Sequence, residues 1–132
     1  MHILFHVVAA IIVGLLFHLS TPALIAFVLG STLIDLDHVL YLRFHSKMKN
    51  PKKMKQWMMR EAKKHNPHFY FMHTFEYTLI LLVVGLWNPL ILAFAMGHIL
   101  HMLIDIATYV IIYRSYKPWA KYMFASYYFL IG

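Results

Sequence analysis

The stretch "STLIDLDHVLYLRF", Ser31 to Phe44, decides how this chain folds. Apolar residues run on both sides of Asp35, Asp37 and His38, so three strongly polar groups sit inside a segment long and greasy enough to cross a bilayer. An ionisable residue in such a place needs a partner, and the rest of the sequence supplies a set of them.

Of the 132 residues, 61% are hydrophobic in type and 13% charged, a balance outside the range of ordinary water-soluble domains. Four apolar blocks, at about 2–19, 23–44, 69–87 and 90–113, each have the roughly 17 to 25 residues that a membrane-crossing helix requires. The expected fold is therefore all-α: an integral membrane four-helix bundle, one domain spanning residues 1–132. The first block has no basic leader and no small-residue cleavage pattern, so it reads as a permanent helix. With no cysteine in the chain, thiolate metal sites, iron–sulfur clusters and disulfides are excluded. Any metal must be held by nitrogen and oxygen.

The net charge of +7 is concentrated. Nine of the twelve Lys and Arg lie between Arg43 and Lys64, and the other three are Arg114, Lys117 and Lys121. That distribution argues for membrane topology, with no nucleic-acid partner. With four crossings, the amino terminus, the basic loop and the tail share one side, and the connections "LSTPAL" and "LWNPLI" on the other carry no charge. The positive-inside rule places both termini in the cytoplasm of a multi-pass protein of the cytoplasmic (inner) membrane. Two further segments read as lying on the membrane surface: a short basic helix at about 51–64, and an aromatic, interfacial or re-entrant helix at about 118–131.

Four of the five acidic residues, Asp35, Asp37, Glu76 and Asp105, fall in the apolar blocks. At mid-membrane each costs about 2.5 to 3.5 kcal/mol, so all four cost roughly 10 kcal/mol. Histidines accompany them at helical spacing. Asp35 and His38 are three apart, His73 and Glu76 repeat that spacing with His68 just before, and "GHILHMLID" puts His98, His101 and Asp105 on one stripe. His2 and His6 share a face of the first helix. Topology brings these together: at about 1.5 Å rise per residue, Asp35 lies roughly 13 Å and Asp105 about 12 Å inside the cytoplasmic ends of their helices, and His73 about 6 Å. All fall in the cytoplasmic leaflet.

A divalent metal accounts for this convergence. Imidazole with carboxylate suits zinc first, with manganese or iron as alternatives, and structural zinc returns on the order of 10 kcal/mol or more. The candidate ligands are His6, Asp35, Asp37, His38, His68, His73, His98, His101 and Asp105, more than one tetrahedral shell takes. Either two ions bind or some residues support the ligands. In an unbroken helix Asp37 points about 160° away from Asp35, so both reach one site only if the helix distorts, for which Gly30 and Ser31 offer a place. His18, at the opposite end of the membrane, reads as a hydrogen-bonded bundle residue, and His45 and His65 as solvated loop residues.

"DLDH", "HFYFMHT" and "GHILHMLID", in that order, resemble the membrane-bound metal-dependent hydrolases related to the LexA-binding inner-membrane protein. That family's pattern is an early His, then P-D-x-D-H, then H-R-x-x-T-H-S, then G-x-x-x-H-x-x-x-D. His2 or His6 matches the first element and Asp35, Asp37 and His38 the second. His68 and His73 with Thr74 match the third, and Gly97, His101 and Asp105 the fourth. Ile34 stands where the family has Pro, Phe69 where it has Arg, and Met72 where it has Thr. The resemblance implies a metal-dependent hydrolase.

The leading expectation is thus an enzyme hydrolysing a lipid or amphiphilic (phospho)ester at the cytoplasmic leaflet, with Glu76 or an unliganded Asp37 as general base and membrane lipids around it. One alternative is a di-iron membrane oxygenase or desaturase, against which the sequence offers only "HILH" of the usual histidine boxes. The other is a non-enzymatic metal-binding or transport protein, against which the non-cytoplasmic half offers few polar residues.

Overall fold

The computed structural model describes residues 3–44, 50, 52–54, 56–57, 70–113 and 124. These residues form helices α1 (Ile3–Leu16), α2 (Thr21–Leu33), α3 (Leu36–Phe44), α4 (Phe75–Gly85) and α5 (Pro89–Tyr113), with a 3-10 turn, Phe71–His73, ahead of α4. No strand occurs among them. The all-α expectation holds, and α5 packs along both α2 and α4 while α1 packs along α2.

Among the described residues, two stretches have the length and hydropathy to cross a membrane: Thr21–Phe44, which combines α2 and α3, and Pro89–Thr108. The other two expected crossings are shorter than drawn from sequence. α1 has 14 residues and α4 has 11, so at 1.5 Å per residue they span about 21 and 17 Å against a hydrocarbon core of about 30 Å. Both are nonetheless apolar outward and small or polar inward. On α1 the buried residues are His6, Ala10 and Gly14, at i, i+4 and i+8, while Leu4, Phe5, Ile12, Leu15 and Leu16 are exposed. The interior among the described residues combines Phe27, Ile34, Leu42 and Met102 with Ala10, Ala93, Ala95, Ser31, Thr74, Thr78 and the histidines His6, His73, His98 and His101. Many other large apolar side chains face outward, on a scale that water-soluble domains seldom show.

Three local features set the helix ends. α1 stops in a Schellman turn, with Leu19 N–H donating to the Gly14 carbonyl and His18 N–H to that of Leu15; His18 takes φ 51°. His18 is exposed there, in a left-handed position usually given to glycine, and it is not the bundle residue expected. α4 is capped by Thr74, whose hydroxyl accepts from Tyr77 N–H. α5 is capped by Asn88, whose carboxamide oxygen accepts from the N–H groups of Leu90 and Ile91, followed by Pro89 at the first helical position.

Close approach of α2 and α5 is decided by two glycines. A Cβ on Gly30 would meet the backbone carbonyl of Phe94, and one on Gly97 would meet that of Phe27. Each helix thus offers a glycine to the other's carbonyl, which small residues permit and larger ones forbid. Of the segment expected at 51–64, residues 52–54 and 56–57 are helical, started by Asn50, whose side chain accepts from the N–H of Lys52. Met54 is buried, and the Trp57 ring lies 6.4 Å from that of Tyr41. The segment expected at 118–131 lies outside the described residues except for Phe124.

Candidate metal centre

The apolar run quoted at the outset does not form one helix. It breaks at Ile34 and Asp35, between α2 and α3. The distortion comes later than the Gly30–Ser31 pair, which serves the crossing with α5. Its effect is to turn Asp35 and Asp37 toward the same interior, which a continuous helix would not allow. The third block also departs from a continuous helix. Thr74 is extended (φ −91°, ψ 148°), which separates His73 from Glu76, so their expected helical pairing is lost.

The glycine crossing sets the register of the centre. One residue beyond Gly30, the Ser31 carbonyl accepts from His101 Nδ1 at 2.7 Å. A carbonyl oxygen only accepts, so Nδ1 carries the proton and Nε2 faces inward as the free nitrogen. There Asp35 Oδ1 lies 3.6 Å and Asp105 Oδ2 3.2 Å away, yet His101 Nε2 has no hydrogen-bond partner. His6, from α1, stacks on His101 with ring centroids 3.9 Å apart and puts Nε2 3.4 Å from Asp105 Oδ1.

On the other side of Asp35 the same logic recurs. Asp37 Oδ2 accepts from the Met72 N–H at 3.0 Å and from His73 Nδ1 at 3.1 Å. His73 Nε2 is thereby left facing Asp35 Oδ1 at 3.9 Å, buried and unpartnered. His38 Nε2 is 3.7 Å from the same Asp35 oxygen, and its Nδ1 is 4.0 Å from Asp37 Oδ1, both of the latter atoms also lacking partners. Three sets of residues therefore present ligand-type atoms within 4.8 Å of one another: His6, His101 and Asp105; Asp35, His73 and His101; Asp37, His38 and His73.

Seven of the expected ligands, His6, Asp35, Asp37, His38, His73, His101 and Asp105, are thus brought together, and His68 lies outside the described residues. His98 is not part of the group. Its Nε2 donates to the Met72 carbonyl at 2.7 Å and its Nδ1 lies 3.3 Å from the Thr78 hydroxyl, so both nitrogens are occupied. Because it holds the carbonyl of Met72, the residue whose N–H binds Asp37, His98 supports the centre from outside. Glu76 belongs to none of the three sets. It sits in the first turn of α4, where a carboxylate complements the helix dipole. Sequence reading missed Ser31, Met72 and Thr78 as supports. Thr74 as a cap with Glu76 in the following turn is a helix-start signal that would have separated His73 from Glu76.

No family model, curated protein or solved structure matches the chain. The functional reading therefore rests on this geometry.

What the arrangement can do follows from its donors. Imidazoles whose outer nitrogen is fixed by a carbonyl or a carboxylate are oriented as metal-binding histidines are oriented. Three carboxylates held among buried imidazoles call for positive charge, which a bound cation or a protonated imidazole supplies.

Proposed function

We propose that this protein is a multi-pass protein of the cytoplasmic membrane, whose buried histidine–aspartate centre holds a divalent metal and hydrolyses a lipid or amphiphilic ester or phosphoester at the cytoplasmic leaflet. The observation that carries the reading is the pair of unpartnered nitrogens, His73 Nε2 and His101 Nε2. Each is turned toward Asp35 by a hydrogen bond on its opposite nitrogen. Supporting the membrane assignment are the outward apolar faces of the helices and the polar residues buried among them. Four crossings, with α1 and α4 completed by the residues flanking them, and both termini cytoplasmic, agree with the placement of every Lys and Arg on one side. The resemblance to the membrane-bound metal-dependent hydrolases supports the same reaction class.

Zinc fits the donor set best, since neutral imidazole and carboxylate without thiolate are the donors of hydrolytic zinc sites. Bound there, it supplies a Lewis acid and a water of lowered pKa. The ligands are drawn from His6, His38, His73, His101, Asp37 and Asp105. Asp37 has two functions, Oδ2 fixing His73 and Oδ1 facing His38. Asp35 and Asp105 are equally accessible, with side chains 23% and 22% exposed, and Asp37 is less so at 11%. Asp35 makes only contacts longer than a hydrogen bond to the surrounding nitrogens. Asp35 Oδ1 is therefore the proton acceptor, in place of Glu76 or Asp37.

The test is turnover by purified protein in lipid nanodiscs, stripped of metal and reloaded with zinc, on fluorogenic acyl-ester and phosphodiester lipids. The His73→Ala, His101→Ala double variant removes both zinc and turnover. Asp35→Asn keeps the zinc and loses about 10² to 10⁴ in rate, the usual worth of a general base. Bound zinc with neither lipid hydrolysed refutes the hydrolase reading. A second reading is favoured by the set Asp35, His73 and His101, because two histidines and one carboxylate also suit iron in oxygenases. Oxygen consumption by the iron-loaded protein, absent with zinc, distinguishes it.

A further inference from the structure

We infer that the centre loads with two divalent ions, one at the His6–His101–Asp105 end and one at the Asp37–His38–His73 end, with Asp35 between them. The inference rests on the metal-dependent reading above and specifies how many ions that reading requires and what charge the site offers a substrate.

The unpartnered buried atoms carry the argument. They include His6 Nε2 and His101 Nε2 at one end, and Asp37 Oδ1, His38 Nδ1 and His73 Nε2 at the other. A single ion in the middle set would engage Asp35, His73 and His101 and leave Nε2 of His6, one oxygen of Asp37 and Nδ1 of His38 buried without partners, while His6 Nδ1 is unpartnered under either loading. Buried polar atoms in native proteins are almost always satisfied, so a loading that strands three more of them is the poorer solution. An imidazole nitrogen binds one ion. His73 and His101 therefore either share the middle ion or serve one end each, and only the second choice brings in His6, His38 and Asp37.

Each end is a complete set of three donors from separate parts of the chain. The first joins α1 to α5; the second joins α3 to the turn before α4. The two ends are neighbours, with the His73 and His101 rings 5.5 Å apart. Asp35 Oδ1 is within 4 Å of Nε2 on both, at 3.9 and 3.6 Å. Asp35 is not needed at either end, which would leave its Oδ1 free to accept a proton from the attacking water. Paired ions flanked by a carboxylate are how many phosphoester-cleaving centres are arranged.

Charge then narrows the substrate. With neutral histidines, the three aspartates and one dication leave the centre one unit negative. With two dications it is one unit positive. The two-ion centre attracts an anionic group, so the substrate class is a phosphoester-bearing amphiphile in preference to a neutral carboxylic ester.

The experiment is zinc stoichiometry of the metal-free full chain in nanodiscs, by elemental analysis after gel filtration, with manganese loading followed by electron paramagnetic resonance. Two zinc ions per chain and an exchange-coupled manganese signal are expected for the unaltered protein. His6→Ala and His38→Ala should each retain one ion with helical content unchanged by circular dichroism, and Asp35→Asn should retain two. One ion per chain in the unaltered protein, with an isolated manganese signal, overturns the two-ion inference and leaves the metal-dependent reading standing. Two ions retained by both His6→Ala and His38→Ala overturn the assigned ends. No bound ion overturns both readings.

Discussion

Replacing Gly97 by alanine tests how the α2–α5 crossing builds the centre. The added Cβ would fall on the backbone carbonyl of Phe27, which cannot rotate aside, so the two helices must separate. Overpacking of this kind costs about 1–3 kcal/mol. Separation also pulls the Ser31 carbonyl away from His101 Nδ1, now 2.7 Å from it, with a loss of about 1 kcal/mol for the hydrogen bond. Against this, alanine is favoured over glycine in a helix interior by about 1 kcal/mol. The net is a destabilisation of about 1–3 kcal/mol. Because His101 loses the group that aims its Nε2, zinc affinity should fall by about 10- to 100-fold as well. Gly14→Ala is the control. Its Cβ meets the end of the Leu24 side chain, which can turn away, so the helix preference dominates and stability is unchanged or slightly raised. Thermal unfolding in nanodiscs and zinc competition titrations measure both quantities. Gly97→Ala matching Gly14→Ala in stability, with zinc affinity intact, would refute the reasoning.

Three further outcomes are expected. His98→Ala leaves the Met72 carbonyl without its donor and costs about 1–3 kcal/mol, with weaker zinc binding but unchanged stoichiometry, checked by unfolding and elemental analysis. Glu76→Gln leaves bound metal unchanged and lowers turnover far less than Asp35→Asn does, read from zinc content and rates on the same preparations. His18→Gly relieves a left-handed backbone position and raises stability by about 1 kcal/mol, seen as a higher unfolding midpoint.

Much of the centre was legible because burying charge in an apolar segment is costly, and cost leaves a visible pattern. Asp35, His38, His101 and Asp105 stood out as polar residues at helical spacing, and the one-sided distribution of Lys and Arg put them at a common depth. What stayed hidden depended on backbone detail. The break at Ile34 and Asp35 has no glycine or proline to announce it, and it turns Asp37 inward. The extended Thr74 separated His73 from Glu76, a pairing that spacing alone had suggested. His98 shared a stripe with His101 and Asp105, but it stands about 60° around α5 and about 4.5 Å along it from His101, where it meets the Met72 carbonyl and Thr78 instead. The glycine contacts at Gly30 and Gly97 depend on which helices cross, and periodicity within one helix carries no information about its neighbour.

The most direct test of the central claim, that converging imidazole nitrogens bind a metal, is zinc-edge X-ray absorption of the purified, zinc-loaded protein. The account predicts a nitrogen and oxygen shell at about 2.0–2.1 Å with the outer-shell scattering of coordinated imidazole, lost in the His73→Ala, His101→Ala double variant. Zinc that washes away, or that shows only oxygen neighbours with no imidazole scattering, would contradict it.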